Sequence, residues 1–399
     1  METLNFRILN TRLHGRSAFM DVLANGENLQ CYINTEVGNF TELTTLPNGS
    51  HLGCRGEYFT TRTGHYTFRI HEGDILHIPQ RSLPVVQNDG DNLYNVTTDR
   101  ESIRRRRYLQ TILNPVERET FVTRSRLITL IRNFFVENEY LEVETPILQP
   151  IYGGAEATPF VTHFESLDMD CYMRIAPELY LRRMVIGGYD RVFEIGRNFR
   201  NEGISNRHNP EFTVIEAYAA YEDYNFSMDL VETLLGNIHT EFGTFEYGDN
   251  VIDFSTVRRI SYLDSISEYY DGDISNLTDV EINDIFETHV EGNLIQPTMV
   301  YDYPASISPL SQVRLDNEDI AERFELFIGG MEIANAYSEL NDVDRHVENM
   351  GSDDEEFIRA LSYGMPPTTG IGIGIDRLVM VLTNRPIRDV IYFPTMRNI

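Results

Sequence analysis

The spacing of apolar positions changes along this chain, and the changes mark out its elements. Through residues 4–80 they come as short runs, 18–23, 29–33, 52–59 and 66–70, broken by Asn25-Gly26, Asn48-Gly49 and Thr63-Gly64. Such runs and turn pairs predict about five short strands. They suit a small barrel of the oligonucleotide-binding kind, and equally an ordinary small β-domain. Residues 81–115 read as a connection, polar at 88–91 and then helical over 102–111, where Arg104, Arg105, Arg106 and Arg107 follow one another. That helix fits a contact with a phosphate backbone or a solvated linker. From 121 to 139 the spacing is helical, with Leu127, Ile128, Ile131, Phe134 and Phe135 in phase.

The next segment, YLEVETPI at 140–147, reads as a strand entering Pro146. Pro177 opens a helix with Tyr180, Leu181, Met184 and Val185 behind Glu178, whose position favours the helix dipole. Residues 191–200 alternate as a strand does. After a charged loop, Phe212, Val214, Glu216 and Tyr218 share one face of a second strand. Helical patterns at 228–238 and 280–289 take scaffold roles. Residues 321–340 predict a hairpin about Gly329-Gly330 in which Ile333, Asn335, Tyr337 and Glu339 share a face and Glu332 falls out of phase. A short acidic loop is expected at 350–356. In 369–382, TGIGIGIDRLVMVL, glycines alternate with isoleucines and strip one strand face of side chains, and a helix starts near Arg377. The spacing is G-x-G-x-G, so no dinucleotide fold of the G-x-G-x-x-G type is implied.

Composition adds three points. At 399 residues and 41% hydrophobic content the chain is long enough for two or three cored domains. Nothing reads as a signal peptide, and no stretch approaches the roughly 18 apolar residues of a membrane span. Cys31, Cys54 and Cys171 are scattered and odd in number, so neither a zinc cluster nor a disulfide frame is expected, and a reducing cytoplasm is the default. Tryptophan is absent, and so is lysine: all 33 basic residues are arginine. The net charge of −29 weighs against a nucleic-acid partner, but it is unevenly spread. Residues 1–107 hold 12 arginines and 12 acids, so the remainder carries all of it.

The candidate chemistry centres on RNFRNEGISNRHNPEFTVIEAY, residues 197–218. Its loop holds Arg200, Glu202, Arg207 and His208, with Asn209-Pro210 as a turn signal. A charged hairpin can be plain surface; it can also grip a polyanion through the planar forks of arginine. Glu216 favours the second reading, because a carboxylate within an apolar strand needs a partner. Glu325 and Glu332 lie close enough across their hairpin to hold a hard cation with phosphate oxygens, or stand as two exposed acids. In the first segment, Arg12, Phe19 and Gln30 are suited to stack on or hydrogen-bond bases.

These strings together resemble the class II aminoacyl-tRNA synthetases. YLEVETP is similar to the first motif of that class, FRNEGISNRHNPEFT with the following strand to the second, and GIGIGIDR to the third. APELYLRR and ANAYSELND resemble the lysine-specific branch, and the likeness runs from the N-terminal strands to FPTMR near the end. The resemblance implies an α+β fold: an OB-fold anticodon-binding barrel at 1–80, a linker at 81–115, and a catalytic domain at 116–399 built on an antiparallel sheet flanked by helices. It implies activation of L-lysine by ATP and transfer to tRNA(Lys), with Mg²⁺ as cofactor, in a cytoplasmic homodimer. Arg200 and Arg377 would be catalytic. ATP would meet Arg200, Glu202, His208, Asn209, Phe212, Glu325 and Arg377, with Glu325 and Glu332 holding the metal. Lysine would meet Gly154, Glu178, Arg200, Glu216, Tyr218, Asn335, Tyr337 and Glu339. Anticodon bases would meet Arg12, Phe19 and Gln30. The interval between the second and third motifs is shorter than usual, and His65 stands in Thr63-Gly64-His65 where the family has glutamate. An alternative within the resemblance is an enzyme that forms the lysyl-adenylate, charges tRNA weakly and makes dinucleoside polyphosphates or modifies a protein. Lysine's absence carries its own expectation: synthesis of this chain would not depend on the lysyl-tRNA it makes. Lysine-dependent synthesis in a reconstituted translation system would refute that.

Overall fold

A computed structural model describes residues 1–84, 87–89, 92–94, 99–350 and 354–397. Residues 351–353 of the expected acidic loop, and 90–91 of the expected polar stretch, lie outside the described residues. The chain divides into two compact units, Met1–Glu119 with the C-terminal residues from Thr395, and Thr120–Pro394.

The first unit contains a closed barrel in the order β1-β2-β3-β5-β4. Its strands are β1 (Glu2–His14), β2 (Ser17–Ala24), β3 (Glu27–Asn34), β4 (His51–Thr60) and β5 (Tyr66–His77). In β2 burial alternates without a break, and Ala18, Met20 and Val22 join Ile8, Ile33, Leu52 and Phe68 in the core. The Asn25-Gly26 turn has both residues at positive φ, 50° and 84°, as a tight two-residue hairpin requires. The helix expected over 102–111 is broken. Arg106 leaves helical geometry between Arg100–Arg105 and Arg107–Leu113, and Arg107 is buried in an ion pair with Glu117 at 2.9 Å. Arg107 therefore faces no phosphate backbone.

The second unit is built on an eight-stranded sheet. In spatial order its strands are Arg258–Ser261, Thr298–Tyr301, Arg323–Ile328, Met331–Ser338, Thr368–Gly374, Glu211–Ala220, Arg191–Phe199 and Leu141–Glu142. The outermost pairing at each edge is parallel and every pairing between is antiparallel. The strand expected at 140–147 pairs only through Leu141–Glu142.

One sheet face is apolar. Phe193, Ile215, Ala217, Phe324, Leu326, Ala336, Ile371 and Ile373 pack there in one core with residues of the helices Pro115–Glu137, Tyr224–Phe242 and Ile375–Thr383. The helical spacing of Leu127, Ile131, Phe134 and Phe135 supplies one such face. Tyr224–Phe242 starts where the Asp223 carboxylate accepts from the Asn225 and Phe226 amides, and ends at Gly243 with φ 69°. The other face carries the polar residues of the three motifs, and the helices Glu178–Ile186 and Glu355–Ser362 pack against part of it through Leu181, Val185, Phe357 and Leu361.

Candidate active site

Strand register puts the candidate residues in rows. Glu325 lies opposite Asn335, Asn335 opposite Gly372, and Gly372 opposite Glu216. One step along, Arg323, Tyr337, Gly370 and Tyr218 form the next row. The two glycines open the floor between the polar ends of each row. A Cβ on Gly370 would run into the Glu339 carboxylate and lie 2.5 Å from the Tyr218 ring.

Ile333 does not share a face with Asn335, Tyr337 and Glu339, as simple alternation predicts. Leu326 pairs with Ala334 and Phe327 with Glu332, so Ile333 is the unpaired extra residue of a β-bulge. Its side chain is buried in the apolar core. The bulge resets the phase, and Glu332 joins Asn335 and Tyr337 on the cleft wall.

The cleft has a volume of about 480 Å³. One end is acidic. Glu178, in the helix Glu178–Ile186, accepts from Arg182 Nη1 at 3.0 Å and from the Tyr337 hydroxyl at 3.0 Å. It is a buried member of the cleft wall, not a solvated first-turn acid. Glu216 accepts from the Tyr218 hydroxyl at 3.3 Å. Glu339 is 1% exposed, and neither of its oxygens has a hydrogen-bond donor. Its nearest cation is Arg182, with Nη1 3.3 Å from Oε2. Desolvation raises all three carboxyls above their ordinary range. It is the largest cause in each case, and Glu216, further raised by the charge of Glu178, is pushed up to about 8. Gly154 lines this end with φ 83°, and a Cβ there would meet the Glu178 side chain at 2.9 Å.

The other end is cationic. The Arg200 guanidinium lies over the Phe212 ring at 5.3 Å, and its Nε is buried without a hydrogen-bond partner. Arg377, in the first turn of Ile375–Thr383, donates through Nη1 to the Glu332 carboxylate at 3.0 Å and to the Glu332 carbonyl at 2.6 Å. Burial, and next the Arg377 charge, hold the His208 imidazole below its usual range. Glu202 and His208 are exposed on the loop, while Asn209 is buried with its side-chain oxygen unpaired. Glu325 accepts from Arg323 Nη2 at 2.5 Å and from the Tyr303 hydroxyl at 2.9 Å.

Two arginines of the site, Arg323 on the cleft wall and Arg182 behind it, lie outside the three motifs. Arg323 binds Glu325 and donates to Asn335 Oδ1 at 3.3 Å. Its alternation with Glu325 was the available signal. Arg182 bridges Glu178 and Glu339, and its i,i+4 spacing from Glu178 was the signal. Two buried ion pairs brace the floor. Glu194 accepts from Arg174 and from the backbone and hydroxyl of Thr145, in the first motif. Asp376 accepts from Arg124 and from the Thr213 amide.

On the barrel, Arg12 and Phe19 are register partners on β1 and β2. Phe19 continues into an aromatic stripe with Tyr32 at 5.2 Å and Phe59, 6.0 Å further, under Arg69 at 4.5 Å. Arg12 is paired with Asp21, and Gln30 accepts from Thr67 at 3.0 Å.

The tRNA synthetases class II (D, K and N) family matches residues 99–397. The chain is 44% identical to a lysine–tRNA ligase of Dichelobacter nodosus, the match covering 98% of this chain and 86% of that protein. It is 42% identical to a lysine–tRNA ligase of Actinobacillus pleuropneumoniae serotype 7, with the same shares covered. To one of Moorella thermoacetica it is 41% identical over 98% of this chain and 88% of the other.

Proposed function

This chain belongs to the class II tRNA synthetases, and we propose that it activates L-lysine with ATP and transfers it to the 3′ end of a lysine tRNA. The observation that carries the reading is Glu339, a buried carboxylate at the end of a cleft with no hydrogen-bond donor. Glu216 and Glu178 stand beside it. One guanidinium, Arg182, stands against the three carboxylates, so the cluster keeps an excess of buried negative charge that a cationic side chain offsets. An aspartate pocket would instead present a cation; here Arg182 is already committed to Glu178 and Glu339.

In this reading Glu216, Tyr218 and Glu339 receive the ε-ammonium. Glu178, Gly154 and Tyr337 surround the α-ammonium, and Asn335 with Arg200 meets the carboxylate. Glu202, Asn209 and Phe212 hold the adenine, while His208, Glu325 and Arg377 serve the phosphates. A lysine carboxylate oxygen attacks the α-phosphorus in line as the bond to the pyrophosphate oxygen breaks. Arg200 and Arg377 stabilise the charge that develops. A hydroxyl of the tRNA's terminal ribose then attacks the lysyl carbonyl, and AMP leaves.

The family implies Mg²⁺. Glu325 and Glu332 fit it in kind, as two hard oxygen donors whose charges act on one another. Water and phosphate oxygens would complete the coordination of an ion held by these two carboxylates. Bound there, it neutralises phosphate charge.

The barrel at 1–80 serves as the anticodon-binding domain, its stripe from Phe19 to Phe59 stacking bases. Residues 81–115 are the linker and 116–399 the catalytic domain. A second copy of the chain covers the exposed apolar residues Leu141, Ile147, Leu148, Ile151 and Tyr152 around the first motif. A monomer mass in sedimentation velocity at micromolar concentration removes that part. The three cysteines are free and buried, and no helix among the described residues is long and apolar enough to cross a membrane. We assign the chain to the cytoplasm, and fractionation of its native cell tests this.

ATP–pyrophosphate exchange across a panel of amino acids, followed by tRNA charging, tests the reading. Lysine-dependent exchange is expected, and exchange with aspartate alone would overturn it. Two further results are expected. Burial keeps Glu216 protonated up to about pH 8, and it must ionise to hold an ammonium, so kcat/KM for lysine rises with pH from about 6, is half-maximal near 8 and levels above about 9. A flat profile contradicts this. Gly370→Ala puts a methyl group against Glu339 and Tyr218. The KM for lysine rises about tenfold to a hundredfold, the equivalent of overpacking by 1–3 kcal/mol, while the KM for ATP stays within about twofold.

A further inference from the structure

We propose that Arg182 is a positioning residue that sets the charge of the acidic pocket to match the two ammonium groups of L-lysine. The inference rests on the lysine reading above and assigns a role to a residue outside the three motifs.

The geometry is that of an internal counter-ion. Arg182 is 0% exposed. Its Nη1 lies 3.0 Å from Glu178 Oε1 and 3.3 Å from Glu339 Oε2, so one nitrogen serves two carboxylates. Its Nη2 donates to the Leu340 carbonyl at 2.5 Å, which ties the helix Glu178–Ile186 to the chain just past Glu339. The Phe357 ring lies 4.9 Å from the guanidinium carbon and closes that side. Arg182 thus holds both acids in place while being shut away from the cleft.

Charge decides what such a pocket accepts. Three carboxylates, Glu178, Glu216 and Glu339, face one guanidinium, leaving two negative charges. Lysine brings two ammonium groups, and its own carboxylate is met by Arg200 at the cationic end. Without Arg182 the pocket would hold one more anion than the substrate neutralises, and the surplus would be met by a proton on one acid. The groups around the cluster leave the balance unchanged. Tyr218 and Tyr337 are neutral phenols, and His346, in the helix Val343–Met350, is held neutral by burial and by Arg182. Glu194 is paired with Arg174, and Asp354 with Arg183.

The test compares wild type, Arg182→Gln and Arg182→Lys in lysine-dependent exchange from pH 6 to 10.5, with thermal unfolding and the KM for ATP measured alongside. The glutamine variant is expected to raise the KM for lysine about a hundredfold. The midpoint of its kcat/KM profile, set by Glu216 in the wild type, should move up by about one unit or more, because Glu178 and Glu339 without their cation then ionise later than Glu216. The KM for ATP stays within about twofold. The lysine variant restores the charge and brings the midpoint back to within about half a unit of wild type. If the glutamine variant loses stability and ATP affinity with an unmoved midpoint, Arg182 is merely structural and the proposal fails. If the lysine variant keeps the glutamine variant's midpoint, charge is not what Arg182 supplies and the proposal fails as well. No lysine-dependent exchange by the wild-type chain would instead overturn the substrate reading beneath it.

Discussion

Arg200→Ala is expected to lower kcat/KM for lysine-dependent pyrophosphate exchange by two to three orders of magnitude, with most of the loss in kcat. In the proposed reaction the lysine carboxylate and the α-phosphate carry like charges that must meet, and Arg200 is the guanidinium placed to serve both. Removing one preorganised donor from a developing charge costs about 10²–10³ in rate. The Arg200 side chain is held over Phe212, and the buried Nε has no protein hydrogen bond to lose. The fold should therefore survive the change. Thermal unfolding close to wild type alongside the lost exchange is the expected pair of results. A loss below about tenfold would take Arg200 out of the chemistry.

The second large effect is on stability. Asp376→Ala removes the partner of buried Arg124 and the acceptor of the Thr213 amide, which bonds to it at 2.6 Å. Breaking a buried pair from one side costs about 3–5 kcal/mol. Asp376 lies in the first turn of the helix that carries Arg377, so activity is expected to fall with stability. The midpoint of urea unfolding, followed by circular dichroism, reports the loss. Adding Arg124→Met should return part of it, because the stranded cation is then gone. A midpoint unmoved by Asp376→Ala would mean that water or a neighbour satisfies Arg124.

Local chemistry was readable from the sequence where local rules decide the outcome. The barrel strands follow alternation and Asn-Gly turns, and the glycines at 370 and 372 announce an open floor before any partner is known. What was missed depends on contacts distant in the chain. Glu178 looks like an ordinary first-turn acid until Tyr337, 159 positions away, donates to it. The helix break at Arg106 carries no proline or glycine, and the burial of Arg107 depends on Glu117 ten positions on. Spacing marks Arg323 and Arg182, but spacing alone does not say which arginines pair with the carboxylates of the site. Simple alternation puts Glu332 out of phase because a bulge has no side-chain signature here: Glu332, Ile333 and Ala334 read as plain strand.

That bulge makes chain length itself a determinant at the hairpin. Deleting Ile333 would leave the strand count intact and take one apolar side chain from the core. Glu332 would stay opposite Phe327 on the cleft face, and Asn335, Tyr337 and Glu339 would keep their rows, because the ladder is regular once the extra residue is gone. The edit would remove the local bend of the bulge and leave every polar side chain of both cleft ends on its face. Screens that substitute residues at fixed length cannot remove that bend, whereas a library of single-residue deletions across 331–335 would show what the bend itself contributes to the site.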